Sequence, residues 1–150
     1  MKIVLQRVKK AKVLVEGKTA GEIGTGVCLL VGIEKGDREV EADYLADKVI
    51  GLRIFPDEQG KMNLSLMETG GSILAVSQFT LAASIKKGRR PSFDQAESPE
   101  QAARLFNYFV ERLKTSGLKV ETGVFQAMMD VYLINDGPVT FILDSKMKHL

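Results

Sequence analysis

The sequence predicts a single layered α/β domain over residues 1–150, a mixed, barrel-like β-sheet covered by two helices. Three observations predict it. Short runs of Val, Ile and Leu recur from the first residues to the last, two segments between them carry helical spacing, and no repeat or low-complexity tract divides the chain. At 150 residues, 45% hydrophobic and 27% charged, the chain can bury a real core as one soluble unit.

Residues 2 to 8 and 11 to 16 suit two early strands broken by Lys9-Lys10. Gly17, Gly21, Gly24 and Gly26 predict tight turns before a buried strand from about Val27 to Ile33. Asp37 is placed to cap a helix over about 38 to 52, in which Val40, Tyr44, Leu45, Val49 and Leu52 recur at helical spacing. Pro56 to Gly60 is a turn cluster, and Ser72 to Phe79 the next internal strand, with Thr80 at its carboxyl end. The second helix carries a capping box, Ser98 with Gln101, and Pro99 at its first position. Its apolar face is Leu105, Phe106, Phe109, Val110 and Leu113, and Gly117 stops it. Runs at about 119 to 122, 129 to 134 and 139 to 144 complete the sheet.

Composition excludes several chemistries. Cys28 is the only cysteine and lies in the apolar run Val27 to Val31, so it is expected to be a buried, inert thiol, and no intrachain disulfide or thiolate cluster can form. The single histidine, His149, stands next to the C-terminus, so the chain alone cannot assemble a Ser-His-Asp, Cys-His or multi-histidine zinc site. No cofactor and no metal are indicated. The start, Met1 to Arg7, lacks a signal peptide's apolar run, and no stretch approaches the roughly 20 apolar residues of a membrane span, so a cytoplasmic protein with no membrane partner is expected. Net charge is only +2, but Lys86, Lys87, Arg89 and Arg90 cluster around Gly88. Such a cluster is either a solvated loop or a grip on nucleic-acid phosphates.

Two segments hold the candidate chemistry. Ser77-Gln78-Phe79-Thr80 ends a strand with small polar groups and backbone N–H groups able to polarise a carbonyl, though a strand end satisfying itself would look the same. Thr80 has no histidine to deprotonate it as a nucleophile, while a remote Asp or Lys remains open as its partner. Asn135-Asp136-Gly137-Pro138 is a turn signal that a plain hairpin would also explain. Its X-Pro bond makes a cis peptide accessible at about 0.5 to 1 kcal/mol, and a cis Gly-Pro would present two carbonyls on one side.

These segments, with Arg7, Lys61-Met62-Asn63-Leu64-Ser65 and Phe125-Gln126-Ala127-Met128-Met129, resemble the D-aminoacyl-tRNA deacylases over Met1 to about Ser145. The resemblance implies a homodimer with active sites at the subunit interface, acting on aminoacyl-tRNA. Ser77, Gln78, Phe79 and Thr80 would form the catalytic strand end, and Gly137 and Pro138, inserted from the partner as a cis peptide and supported by Arg7, would perform chiral selection. They would reject any L side chain, so that many D-aminoacyl groups, and glycine mischarged onto alanine tRNA, would be cleaved. Phe125 and Met129, otherwise plain core residues, would wall the terminal adenosine pocket. Lys86, Lys87, Arg89 and Arg90 remain the candidates for the phosphates, and the neighbouring ribose 2′-hydroxyl would assist the attacking water. Gln126, where Gly or Ala is usual, and Tyr132, where a smaller residue is common, depart from the pattern. A catalytically silent RNA-binding module is the alternative, and a small-molecule esterase using Thr80 a third possibility.

Overall fold

The computed structural model describes residues 1–149, and the side chains of Lys148 and His149 lie outside what it describes. Among the described residues, eight strands and three α-helices build the domain. β1 (Lys2–Val15) is one strand, not the expected two. Its first half pairs with β3 (Gly26–Gly32) and its second with β2 (Lys18–Ile23), and Lys9 and Lys10 stand exposed where the neighbour changes. Two adjacent lysines fail to break the strand because neither must be buried there. β2 itself occupies part of the glycine-rich stretch expected to be turns alone, and Gly21 lies within it, against the Thr122 carbonyl.

α1 (Glu39–Gly51) leads through a small hairpin, β4 (Phe55–Pro56) and β5 (Met62–Leu64), to the short α2 (Leu66–Thr69). The turn of that hairpin falls in the expected Pro56–Gly60 cluster, but its short strands and α2 were not expected, so three helices replace the expected two. Then follow β6 (Ser72–Ser77), α3 (Pro99–Lys114), β7 (Val120–Thr122) and β8 (Asp130–Asp144). The sheet order is β2-β1-β3-β6-β7, with β8 on the other edge of β1. β3, β6 and β7 run parallel and the remaining pairs antiparallel, while β2 approaches β6 and β7 and nearly closes the sheet into a barrel.

The main core lies between the sheet and α1 with α3. Ile3, Leu5, Leu29 and Ile73 face Leu45, Phe109 and Leu113, all fully buried or nearly so. Each such side chain contributes roughly 1.5 to 3 kcal/mol by leaving water. A second cluster inside the barrel, Val8, Val13, Ile23, Leu74 and Val76, surrounds Cys28, whose thiol burial pushes up to a pKa of about 11. That thiol is inert because its anion would be desolvated.

Both helix starts differ from the expectation. Arg38, not Asp37, caps α1, and its N–H donates to the Glu41 carboxylate at 2.7 Å. Asp37 turns the other way and accepts from the Met1 ammonium at 2.7 Å and the Glu34 N–H at 2.7 Å. A buried cation outcompetes the helix for that carboxylate. Ser98 does stand at the start of α3, but its hydroxyl makes no cap, and its N–H donates to Glu97 at 2.8 Å.

Candidate active site

The Asn135–Pro138 turn signal does not make a hairpin. β8 pairs with β1 on both sides of it, Thr140 opposite Gln6 and Asn135 opposite Val8, so Asp136, Gly137, Pro138 and Val139 bulge out against the single residue Arg7. The strand resumes pairing on the far side in a new register, which shifts once more at Lys9, because both flanks are held by the same neighbour. The Gly137–Pro138 peptide is cis.

Arg7 fixes this bulge from beneath. Its side chain is almost buried, and its guanidinium donates to the Ile54 carbonyl at 2.7 Å and the Asp136 carbonyl at 3.2 Å, with the Asp136 carboxylate 3.3 Å away. A planar guanidinium spans acceptors on two segments in a way an ammonium cannot. Gly137 has φ +129, and a Cβ there would stand 2.6 Å from Val139 Cγ2 and 3.2 Å from Arg7 Nη2. Only glycine fits. Gly137 and Pro138 themselves are exposed. Sequence reasoning named Arg7, but missed Gln6 and gave Asn135 no role, although both side chains line the bulge. A glutamine beside Arg7 on the first strand was the one available signal.

At the other segment, β6 ends at Ser77, two residues earlier than expected, and Phe79–Ala82 form a 3-10 turn. Gln78 N–H donates to Val31 O at 2.8 Å, which ties the turn to β3, and Leu81 packs over Gly32, where a Cβ would meet it at 2.8 Å. The amides of Phe79 and Thr80 begin the turn and find no acceptor among the described residues. They are free to bind an oxygen. Thr80 is exposed, and its Oγ1 accepts from Gln78 Nε2 at 2.5 Å. With a lone pair so engaged, the hydroxyl keeps its proton to donate.

Lys86, Lys87, Arg89 and Arg90 are all exposed on a loop closed by paired bonds between Ser84 and Ser92, each 2.8 Å. Phe93, just beyond, packs on Phe79 with ring centroids 5.2 Å apart. The basic loop is thereby joined to the strand end. Phe125 and Met129 are half-buried, but on different clusters: Phe125 faces Phe106 at 6.3 Å, and Met129 packs against the barrel interior. Gln126 between them has φ +63. That left-handed backbone favours glycine, which gives the departure at this position a physical cost of the order of 1 kcal/mol. Tyr132, the other departure, lies exposed beside Lys12, whose ammonium is 5.3 Å from the ring centroid.

Within one chain the two segments stand apart. Gln78 is anchored at Val31, which pairs with Ile3, whereas the bulge faces Arg7, roughly 13 Å further along β1 at 3.3 Å per residue. β1 and β3 also intervene between β8 and β6, which adds roughly 14 Å sideways. Among the described residues no group of His, Cys, Asp and Glu is arranged to hold a metal ion, and no helix is long and apolar enough to cross a membrane.

A family model described as D-Tyr-tRNA(Tyr) deacylase matches residues 4–144. Curated relatives named D-aminoacyl-tRNA deacylase include one from Geobacter sulfurreducens, 57% identical over 148 residues, which cover 99% of this chain and 97% of that protein. Another, from Bacillus velezensis, is 60% identical over 146 residues, covering 97% and 99%. Among solved structures, one named c-Myc DNA Unwinding Element Binding Protein superposes with a TM-score of 0.90 at 42% identity, covering 96% of this chain and 98% of that one. A probable eukaryotic D-amino acid tRNA deacylase shares the fold at a TM-score of 0.82 and 18% identity, covering 95% and 97%.

Proposed function

The chain belongs to the D-Tyr-tRNA(Tyr) deacylase family, hydrolases of the ester between a D-amino acid and tRNA, and on that premise we propose how its residues select and cleave the substrate. Selection is assigned to the main chain of Gly137 and Pro138. Their carbonyls receive the amino group, and the space an L side chain would need is filled by the bulge. The single observation that carries this reading is the bulge itself, an exposed Gly-Pro held rigidly by Arg7 against Ile54 and Asp136. A sieve made of backbone is blind to side-chain identity, so it accepts many D-aminoacyl groups and glycine, including glycine on alanine tRNA.

Cleavage is assigned to the strand end. The free amides of Phe79 and Thr80 hydrogen-bond the developing oxyanion, and the terminal 2′-hydroxyl of the RNA assists the water. Thr80 positions and does not attack. Phe125 and Met129 wall the adenosine, and Lys86, Lys87, Arg89 and Arg90 hold phosphates.

Because one chain holds its bulge far from its own strand end, the working unit is a homodimer in which each bulge enters the partner's site. Val131, Tyr132, Ile134, Phe141 and Ile142 of β8 are exposed apolar residues flanking the bulge, and they supply a surface for such pairing. A tRNA substrate implies work in the cytoplasm. The test is release of tyrosine from D-tyrosyl-tRNA, L-tyrosyl-tRNA and D-tyrosyl-tRNA lacking the terminal 2′-hydroxyl. Only the first is expected to be cleaved rapidly; equal release from the first two removes the selection, and full release from the third removes the RNA's part in catalysis.

A second reading is a nucleic-acid-binding role without catalysis, favoured by the exposed basic loop and by the similarity to a 42%-identical structure whose name describes DNA binding. Tight tRNA binding with no release from any of the three substrates would select it.

A further inference from the structure

We propose that Asn135 is a specificity-determining positioning residue, whose side-chain amide, oriented by Gln6 and Thr140, closes the neck of the Asp136–Val139 bulge and so sets where Gly137 and Pro138 stand. The inference rests on the reading of that bulge as the chiral selector. Where β8 bulges, the β1–β8 ladder is interrupted, because one residue of β1 faces four of β8. The Asn135 side chain bridges the gap. Its Nδ2 donates to the Arg7 carbonyl at 2.9 Å and to the Val139 carbonyl at 2.9 Å, one on each strand. A side-chain amide thus replaces backbone bonds that the bulge displaced.

The opposite end of the same amide is fixed as well. Asn135 Oδ1 accepts from Gln6 Nε2 at 3.5 Å and from the Thr140 hydroxyl at 3.4 Å, while Gln6 Nε2 also donates to Thr140 Oγ1 at 3.1 Å. Two acceptors face the nitrogen and two donors face the oxygen, so turning the amide over would set oxygen against two carbonyls. Its orientation is determined. Arg7 holds Asp136 at one shoulder of the bulge and Asn135 holds Val139 at the other, with the exposed Gly137 and Pro138 between two fixed points. Releasing one shoulder lets the apex shift, and a displacement near 1 Å costs about a hundredfold where geometry discriminates.

The experiment compares kcat/KM for D-tyrosyl-tRNA and L-tyrosyl-tRNA in the unaltered chain, Asn135→Asp and Thr140→Val, with a thermal melt of each. Asn135→Asp keeps the shape and replaces both donors by lone pairs, so the D-over-L ratio is expected to fall about a hundredfold. Thr140→Val removes only the hydroxyl that orients Asn135, at an exposed position, and should lower the ratio about tenfold. A merely structural Asn135 would lower both rates together with the folded fraction and leave the ratio untouched, which overturns the proposal. Should Asn135→Asp not fold, Thr140→Val decides alone, and an unchanged ratio there overturns it equally. Equal release of D and L by the unaltered chain would overturn the selector reading and this inference with it, and is thereby distinguished from a failure of Asn135 alone.

Discussion

The bulge at Asp136–Val139 is fixed by hydrogen bonds and an ion pair from side chains remote in sequence, Gln6 and Arg7, the latter anchored on Ile54, whereas the strand end at Ser77–Thr80 rests on backbone pairing with β3, the local Gln78–Thr80 bond and the contact of Phe79 with Phe93. The difference fits the tasks proposed for them. A selector that works by exclusion must not yield, so it is braced from several directions, and its bracing side chains are buried or half-buried. A strand end that lends amides to an oxyanion needs only a defined turn and exposure. On the proposed reading, rigidity is concentrated where the discrimination is.

The largest way to break that contrast is Arg7→Ala. It leaves the buried Ile54 carbonyl and the Asp136 carboxylate without their donor, and should lower stability by about 2 to 4 kcal/mol. Urea melts should show a lower midpoint at unchanged slope, and turnover of D-aminoacyl-tRNA should be lost. Wild-type stability would mean the bulge is braced by something else.

Gly137→Ala comes next. The new Cβ meets Val139 and Arg7 at a φ of +129, so stability should fall by about 1 to 3 kcal/mol and kcat/KM by about a hundredfold. Activity falling only in proportion to the folded fraction would separate the glycine from selection.

Replacing Lys86, Lys87, Arg89 and Arg90 by serine should raise KM for tRNA and flatten its salt dependence, with the D-over-L ratio unchanged. A changed ratio would tie the loop to the selector. The smallest effect belongs to Thr80→Ala, which should keep most of the turnover and alter stability by less than about 0.5 kcal/mol. Loss of several orders of magnitude, with acyl-threonine trapped on the unaltered chain, would make the strand end the nucleophile.

The same contrast governs what the sequence revealed. Local signals held well. The helical spacing of Leu105 to Leu113 and the apolar run at Val27 to Val31 sit in α3 and β3 as expected, since their periodicity is set by neighbours in the chain. Nonlocal choices were hidden. Lys9-Lys10 looked like a break because the change of partner strand there is a tertiary event. Asp37 looked like a helix cap because nothing local announces that the Met1 ammonium will claim it. For Asn135 to Pro138 a hairpin stays open beside the cis Gly-Pro turn, because the turn chemistry of a bulge and of a hairpin is alike, and only pairing with β1 on both sides tells them apart. The residue types of the candidate site were therefore visible, while the bracing by Gln6 and Asn135 was not.

The most direct test of selection by main-chain exclusion uses three substrates that differ only at one carbon: glycyl-tRNA, D-alanyl-tRNA and L-alanyl-tRNA, all on alanine tRNA, in single turnover. The account predicts rapid release of glycine and D-alanine and none of L-alanine above the uncatalysed rate. Release of L-alanine at the D rate, or sparing of glycine, would contradict it.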